Sequence, residues 1–415
     1  MRKYIILAYN ITDIGGEHQY CRNKLLEVSK MGYETTLFSG NKGAIYIQEL
    51  QKYANNVCPE LKYPPYCFTP KVVKRTIDFI VSRIGPVTND SIIECLSIAT
   101  SEWGELLARS LKIKSIAFIL DEHNSVSRDE QDFLFFKHKR SELAAISKTT
   151  YINLFKNTQL ISELEAKPIE AFCTNTLDNV EYRNHYKSDN NIVFGCIGRL
   201  EKGYVEPVLK QLKNYCSLYD KKEFVIVLIG GSNNKRYLKH LSGLFTSINN
   251  VRLIITGYIY PIPFDLVNQI DIGFGTAGGA EIVALQLHKP CISVDSYSGE
   301  PIGVLNYSTK ETTYKTSSSL NSFPQLIDDI IQNNFYKDKE TLGMKYIASD
   351  WSKEVQRQFE TFVYSTQEQA YYDINRLKAE TPKYIIYTII GKVFGARVLQ
   401  LVHRHFLNPI KKAFT

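Results

Sequence analysis

At 415 residues, with 44% hydrophobic and 22% charged content, the chain is too long for one ordinary core and fits two α/β domains. Its plentiful Tyr, Phe, Ile and Leu exclude a disordered chain. The formal charge of +7 is mild and collects near one end: Lys383 to Thr415 holds six Lys or Arg and no Asp or Glu, so no nucleic-acid partner is expected.

The segment KYIILAY reads as a first strand; it is too short for a signal peptide. A helix is expected over Glu17–Met31, then a strand at TTLFSG. SIIECLSI, SEWGELLARSLKI and SIAFILD give strand, helix, strand. This alternation indicates βαβ units and a parallel sheet. The polar stretch from about Asn175 to Asn191 places a domain boundary. After it come the strand NIVFGCIG, a helix over Val205–Tyr219, and the strands EFVIVLIGG, VRLIITG and QIDIGFG. A helix from about Gly279 to Leu287 and the strand PCISVD follow, so a second doubly wound domain is expected. The resulting division is 1–180, 188–349, a polar helical segment 350–380, and a basic apolar tail 383–415.

The eight cysteines are scattered and form no Cys-x-x-Cys pair, which sets aside zinc and thioredoxin-type sites. They read as buried reduced thiols of a cytosolic protein. No uninterrupted run approaches the roughly 20 apolar residues that span a bilayer.

Four loops carry the candidate chemistry. TDIGGEHQY, residues 12–20, puts Gly15, Gly16 and Glu17 between the first strand and a helix. There the backbone can approach a ligand and N–H groups stand bare, although an ordinary tight turn needs no more than this. It is not a GxGxxG fingerprint, so no dinucleotide cofactor is expected. LDEHN, residues 120–124, places His123 at a strand's carboxyl end, where open α/β sheets bind ligands. A structural histidine would look the same. IGRLEKGY, residues 197–204, sets Arg199 and Lys202 just past a strand, a fork and a point charge suited to a diphosphate. In GFGTAGGAEIVALQLHKPCISVD, residues 273–295, a glycine-rich loop opens a helix at Gly278, Gly279 and Ala280, offering N–H groups and a dipole to phosphate. Glu281 could meet a ribose or sugar hydroxyl there, or could simply complement the dipole.

These four elements in this order resemble the GT-B glycosyltransferases, most closely the retaining family-4 type of bacterial polysaccharide, lipopolysaccharide and capsule pathways. The resemblance runs to about residue 370. GGEHQY resembles the family's acceptor-side loop, and His123 falls where the family carries a His after its inner strand. AAIS at 144–147 and Asn175 through Asp178 look like its Ser and Asn-Gly-x-Asp landmarks, GRLEKG like its phosphate loop, and WSKEVQRQFETFV like its closing helix. The family usually carries two Glu eight positions apart at the last glycine loop. Here those places hold Gly275 and Val283, and Glu281 is the one acid nearby.

The resemblance implies two Rossmann-like domains facing a cleft, the first taking a glycan or lipid-linked acceptor and the second a nucleotide sugar. It implies hexosyl transfer with retention, metal-independent, with His123 and Glu281 catalytic and Arg199, Lys202 and the helix at Gly278 meeting the leaving diphosphate. No Asp-x-Asp metal motif is present. Two other readings are a sugar-nucleotide epimerase, which should carry paired acids, and a non-catalytic GT-B partner subunit, which the missing second Glu would suit. In the tail, Phe394, Val398, Leu401, Val402 and Phe406 recur with helical spacing. Arg397, Arg404 and Lys411 fall on another side, flanked by Lys392 and His403. This is the pattern of a helix in an anionic membrane interface, and it predicts a peripheral protein on the inner face of the cytoplasmic membrane.

Overall fold

The computed structural model describes residues 1–12, 14–121, 126–156, 164–169, 177–232, 234–305, 307–309, 311, 313, 315, 321–332, 351–364 and 369–403. The chain divides into two compact units. The first holds 1–13, 20–172 and 349–415, the second 14–19 and 173–348.

In the first unit β1 (Lys3–Ala8) is buried along its whole length, as a continuous apolar run covered on both faces must be. It pairs in parallel with β2 (Glu34–Ser39) and β3 (Ile92–Cys95); β4 (Lys114–Ile119) and β5 (Leu143–Ala145) complete a parallel sheet of order β2-β1-β3-β4-β5. The crossovers are α1 (Gly16–Lys30, whose first residues to Gln19 group with the second unit), α2 (Pro70–Ile84), α3 (Ile98–Leu111) and α4 (Arg128–Lys139), and the short α5 (Lys148–Asn153) follows β5. Their starts are local in origin. Thr69, Ser97, Ser127 and Ser147 each accept a backbone N–H of the first turn, and Ser97 and Ser127 form full capping boxes with Thr100 and Glu130.

The second unit contains a two-residue strand β6 (Leu177–Asp178) and a larger sheet. Strands β7 (Asn191–Ile197), β8 (Glu223–Ile229) and β9 (Val251–Ile255) run in parallel. After β10 (Ile262–Pro263), which pairs with β6, the sheet resumes on β7's other side with β11 (Ile272–Gly275), β12 (Cys291–Val294) and an antiparallel edge strand β13 (Pro301–Val304). The order is β13-β12-β11-β7-β8-β9. Residues of β7 and β8 alternate between two apolar clusters. Phe194, Cys196, Ile226 and Leu228 face α6 (Val205–Ser217), while Val193, Ile197, Val225 and Val227 pack in the cluster on the other face. Helices α7 (Lys235–Gly243), α8 (Phe264–Asn268), α9 (Ala277–Glu281) and α10 (Phe323–Gln332) complete the unit.

Three local expectations change. The helix expected over Gly279–Leu287 is α9 followed by a π-turn at Ile282–Gln286. Among the described residues of the helix expected over 350–380, the structure shows α11 (Trp351–Gln358), a π-turn at Phe359–Val363 and a 3-10 turn at Ile374–Arg376. The tail helix is α12 (Pro382–Val402), which starts before the apolar spacing suggested and bends at Gly395, where φ is 78°. At 21 residues it is long and apolar enough to cross a bilayer, although Lys and Arg interrupt its sequence. Tyr387, Ala396 and Leu399 enter the first unit's core beside Leu7, Phe38 and Trp103.

The returning C-terminal segment is held by a buried ammonium. Lys24 of α1 is fully buried, lies 3.3 Å from the Glu94 carboxylate of β3, and donates to Gln358 of α11. Four aromatic rings surround it, those of Tyr4, Tyr20, Phe118 and Phe359. Burial lowers its pKa, and Glu94 opposes that shift. Lys24→Met should destabilise the protein by about 3–5 kcal/mol, because Glu94 is left as an unpaired buried charge. Adding Glu94→Gln should recover part of the loss, as read by chemical denaturation.

Candidate functional site

The second sheet changes direction between β7 and β11, and crevices at such points bind ligands beyond the carboxyl ends of the strands. Three neighbouring strands end there in glycine. Gly198 after β7, Gly230 after β8 and Gly275 closing β11 have φ of 146°, 156° and 157°, a region L side chains rarely enter. The edge they form is bare backbone. A Cβ at Gly230 would stand 1.8 Å from the Gly198 carbonyl oxygen, and one at Gly279 would stand 2.1 Å from that of Ile197. Neither position admits a side chain without moving main chain.

Arg199 and Lys202 rise from the loop after β7. The loop is pinned to the next strand end by Gly198 N–H to Ile229 O at 3.0 Å and Leu200 N–H to Gly231 O at 3.1 Å. Arg199 is exposed and Lys202 half-buried. Lys202 Nζ donates to Thr276 Oγ1 at 3.4 Å, which ties this loop to the start of α9. Thr276 is the N-cap of α9 by backbone geometry, yet its side chain makes no cap bond. The first-turn N–H groups of Gly278, Gly279 and Ala280 therefore keep no side-chain acceptor at the cap. Ala277 sits at φ 47°, a strained value for a residue with a Cβ. Behind the loop Tyr204 is buried, its hydroxyl 3.6 Å from Cys196 Sγ. Burial pushes the Cys196 thiol up to about 11, so it is a thiol and no nucleophile at neutral pH.

Gly15, Gly16 and Glu17 belong to the compact unit that contains Arg199, and a Cβ built on Gly15 would lie 3.8 Å from Arg199 Nε. Gly16 and Glu17 open α1. Ser147 serves as the N-cap of α5. His123 lies outside the described residues, as do Asn175 and Phe406; of Glu281 only the backbone, closing α9, is described. The structure thus gathers Gly15, Arg199, Lys202 and the Gly278–Ala280 turn, and adds Thr276 and the three strand-end glycines. Gly198 and Gly230 were visible in sequence as the terminators of apolar runs; Thr276 had no sequence signal, since its role is a contact with a residue 74 positions away. Among the described residues no cluster of three or more His, Cys, Asp or Glu could hold a metal ion.

No protein-family model and no curated protein matches the chain by sequence. Solved structures do match. A glycosyltransferase from Rickettsia africae superposes with a TM-score of 0.57 at 14% identity, covering 87% of this chain and 96% of that one. HepE of Anabaena, solved with UDP, gives 0.54 at 13% identity over 87% and 95%. The lipopolysaccharide outer core galactosyltransferase WaaB gives 0.53 at 13% identity over 86% and 99%. The fold is that of the GT-B glycosyltransferases.

The close approaches at this GT-B carboxyl edge make a direct test. Gly230→Ala and Gly279→Ala should each cost about 1–3 kcal/mol, the range for forcing atoms into a packed site. Gly243→Ala, at the end of α7 with nothing within 4 Å of its added Cβ, should stay within about 0.5 kcal/mol of the parent. Melting curves of the three variants decide.

Proposed function

We propose that this protein transfers a sugar from a uridine-diphosphate sugar to a hydroxyl of a glycan acceptor. The observation that carries the reading is the bare backbone edge at the turning point of the second sheet, with Arg199 and Lys202 on one side and the uncapped start of α9 on the other. That combination suits a diphosphate: two cations, N–H groups aligned with a helix start, and glycines that let the main chain come close. HepE, of similar fold, binds UDP and UDP-glucose, which supports uridine as the nucleoside.

In this reaction the bond between the anomeric carbon and the diphosphate oxygen breaks while the acceptor oxygen bonds to that carbon, and the acceptor's hydroxyl proton passes to the departing diphosphate. Negative charge grows on the departing diphosphate. Arg199, Lys202 and the N–H groups of Gly278, Gly279 and Ala280 stabilise it most when it is fully developed, which is how fixed charges lower a barrier. Arg199 would grip two oxygens and Lys202 one, with Thr276 holding the ammonium forward. His123 and Glu281 are assigned to the transferred sugar and ribose hydroxyls, Gly15, Gly16 and Glu17 to the acceptor, and retention of configuration is part of the proposal. The acceptor is inferred to be lipid-linked, in cell-surface polysaccharide synthesis on the cytoplasmic side of the membrane. The acid-free basic stretch 383–415 and the buried thiols support that location.

A charge-assisted contact is worth about 1.5–3 kcal/mol, so Arg199→Ala and Lys202→Ala should each weaken UDP binding about tenfold or more in titration calorimetry. Both variants should keep the parent's melting temperature without ligand. UDP affinity unchanged in both would overturn the donor-site assignment. Release of UDP from UDP-sugars, with and without added glycan acceptor, tests the transfer itself.

A further inference from the structure

Helix α12 has two faces with different fates. On one, Gly391 lies so close to the loop before α2 that a Cβ there would stand 2.4 Å from the Cys67 carbonyl oxygen. Tyr387, Ala396 and Leu399 are buried in the first unit's core. Gln400 Nε2 donates to Gly40 O at 3.0 Å and Pro59 O at 3.3 Å. These contacts run the helix's length and clamp it lengthwise to the unit. A helix long enough to cross a bilayer is thereby kept from doing so unless all of them break.

The other face is apolar and uncovered. Before the bend at Gly395 it carries Ile385, Ile386, Ile389, Val393 and Phe394; after it, Val398 and Leu401. Ile389, Val393, Phe394 and Leu401 are 59%, 66%, 64% and 56% exposed. Spacings of i, i+1, i+4 and i+8 put Ile385, Ile386, Ile389 and Val393 on a single side of the half-helix before the bend, and Val398 and Leu401, at i and i+3, share a side after it. Seven exposed apolar residues on one helix are unlike the scattered exposed apolar residues of an ordinary surface. Cations border this face: Lys392 and Arg397 lie exposed on the helix, and Arg397 lines one hollow with Phe394 and with Arg75 of α2, which is also 3.6 Å from Glu60. From Thr381 to Thr415 there is no acidic residue, and Arg404, Lys411 and Lys412 continue the positive run.

We infer that the outer face of α12 docks on an anionic lipid surface, its isoleucines, valines and Phe394 among the acyl chains and its cations among the headgroups. A second copy of this face is a poor occupant, since pairing it with itself would bring the helix's cations together, and Glu60 in the hollow beside Arg397 is already paired with Arg75. Anionic lipid supplies both halves of the match, apolar depth and negative charge at its rim. The inference deepens the membrane location proposed above by naming the surface that makes the contact. It differs from the spacing-based expectation in its residues: Val402 is half-buried, and four residues before the bend join the face.

The test is co-sedimentation of the full chain with vesicles of phosphatidylcholine plus phosphatidylglycerol, and of phosphatidylcholine alone, at low and high salt. The parent should pellet with the anionic vesicles at low salt and lose much of that binding at high salt. Ile389→Glu with Val393→Glu should weaken binding about tenfold or more. Lys392→Glu with Arg397→Glu should remove the preference for anionic vesicles. These positions face solvent, so UDP affinity and melting temperature should be unchanged, and UDP affinity on the same samples separates this proposal from the transferase reading. Failure of the parent to bind anionic vesicles would overturn the inference. So would equal pelleting of parent and apolar-face variant, or a dimer that the apolar-face variant dissolves.

Discussion

At the end of β7 the carbonyl oxygen of Ile197 fills the space where a Cβ of residue 279 would lie, and one strand over the Gly198 carbonyl does the same to residue 230. Main chain therefore meets main chain at the carboxyl edge of the second sheet. Only glycine permits this, and everything proposed for the site follows from it. The start of α9 is drawn down onto β7, Thr276 comes within reach of Lys202, and the loop of Arg199 is hung from the end of β8 by backbone hydrogen bonds. A side chain at either glycine would lift α9 or the loop and separate the cations from the helix start.

The first unit solves a different problem, that of keeping a returning C-terminal segment attached. Lysines do much of it. Lys24 reaches Gln358 from within an aromatic enclosure, and Lys114 Nζ donates to the Val363 carbonyl at 2.8 Å. Lys137, buried between Glu105 and Glu142, holds Glu105 where it also accepts the backbone N–H of Tyr372 at 2.7 Å. Each ammonium offers three donors in a compact head, so it can join a sheet to a segment distant in sequence while its stem stays among apolar side chains. Buried pairs of this kind give modest net stability but penalise any arrangement that leaves one partner alone. They make the attachment specific.

The last helix combines both devices. Glycine at 391 lets it touch the loop before α2, as Gly279 lets α9 touch β7, and its buried residues fill the core beside Trp103. Tight packing on one side forces the remaining apolar residues outward. The exposed stripe is therefore a consequence of how the helix is clamped as much as of its composition.

The sequence by itself determined the alternation of strand and helix, because continuous apolar runs such as KYIILA and FVIVLI can be satisfied only by strands covered on both faces. Helix starts are local in origin too, since the Thr, Ser and Asn caps act on neighbours a few residues away. Arg199 and Lys202 were legible as candidates for the same reason: they follow an apolar run that ends in glycine. Tertiary structure alone decided the rest. The strand order that puts β11 beside β7, the contact of Lys202 with Thr276, the π-turn that interrupts the helix after Glu281, and the face that α12 buries all depend on residues tens to hundreds of positions apart. Apolar spacing identifies an amphipathic helix but not which of two apolar sides will find a core. That choice was made by the space beside Cys67, which only glycine at 391 could fill.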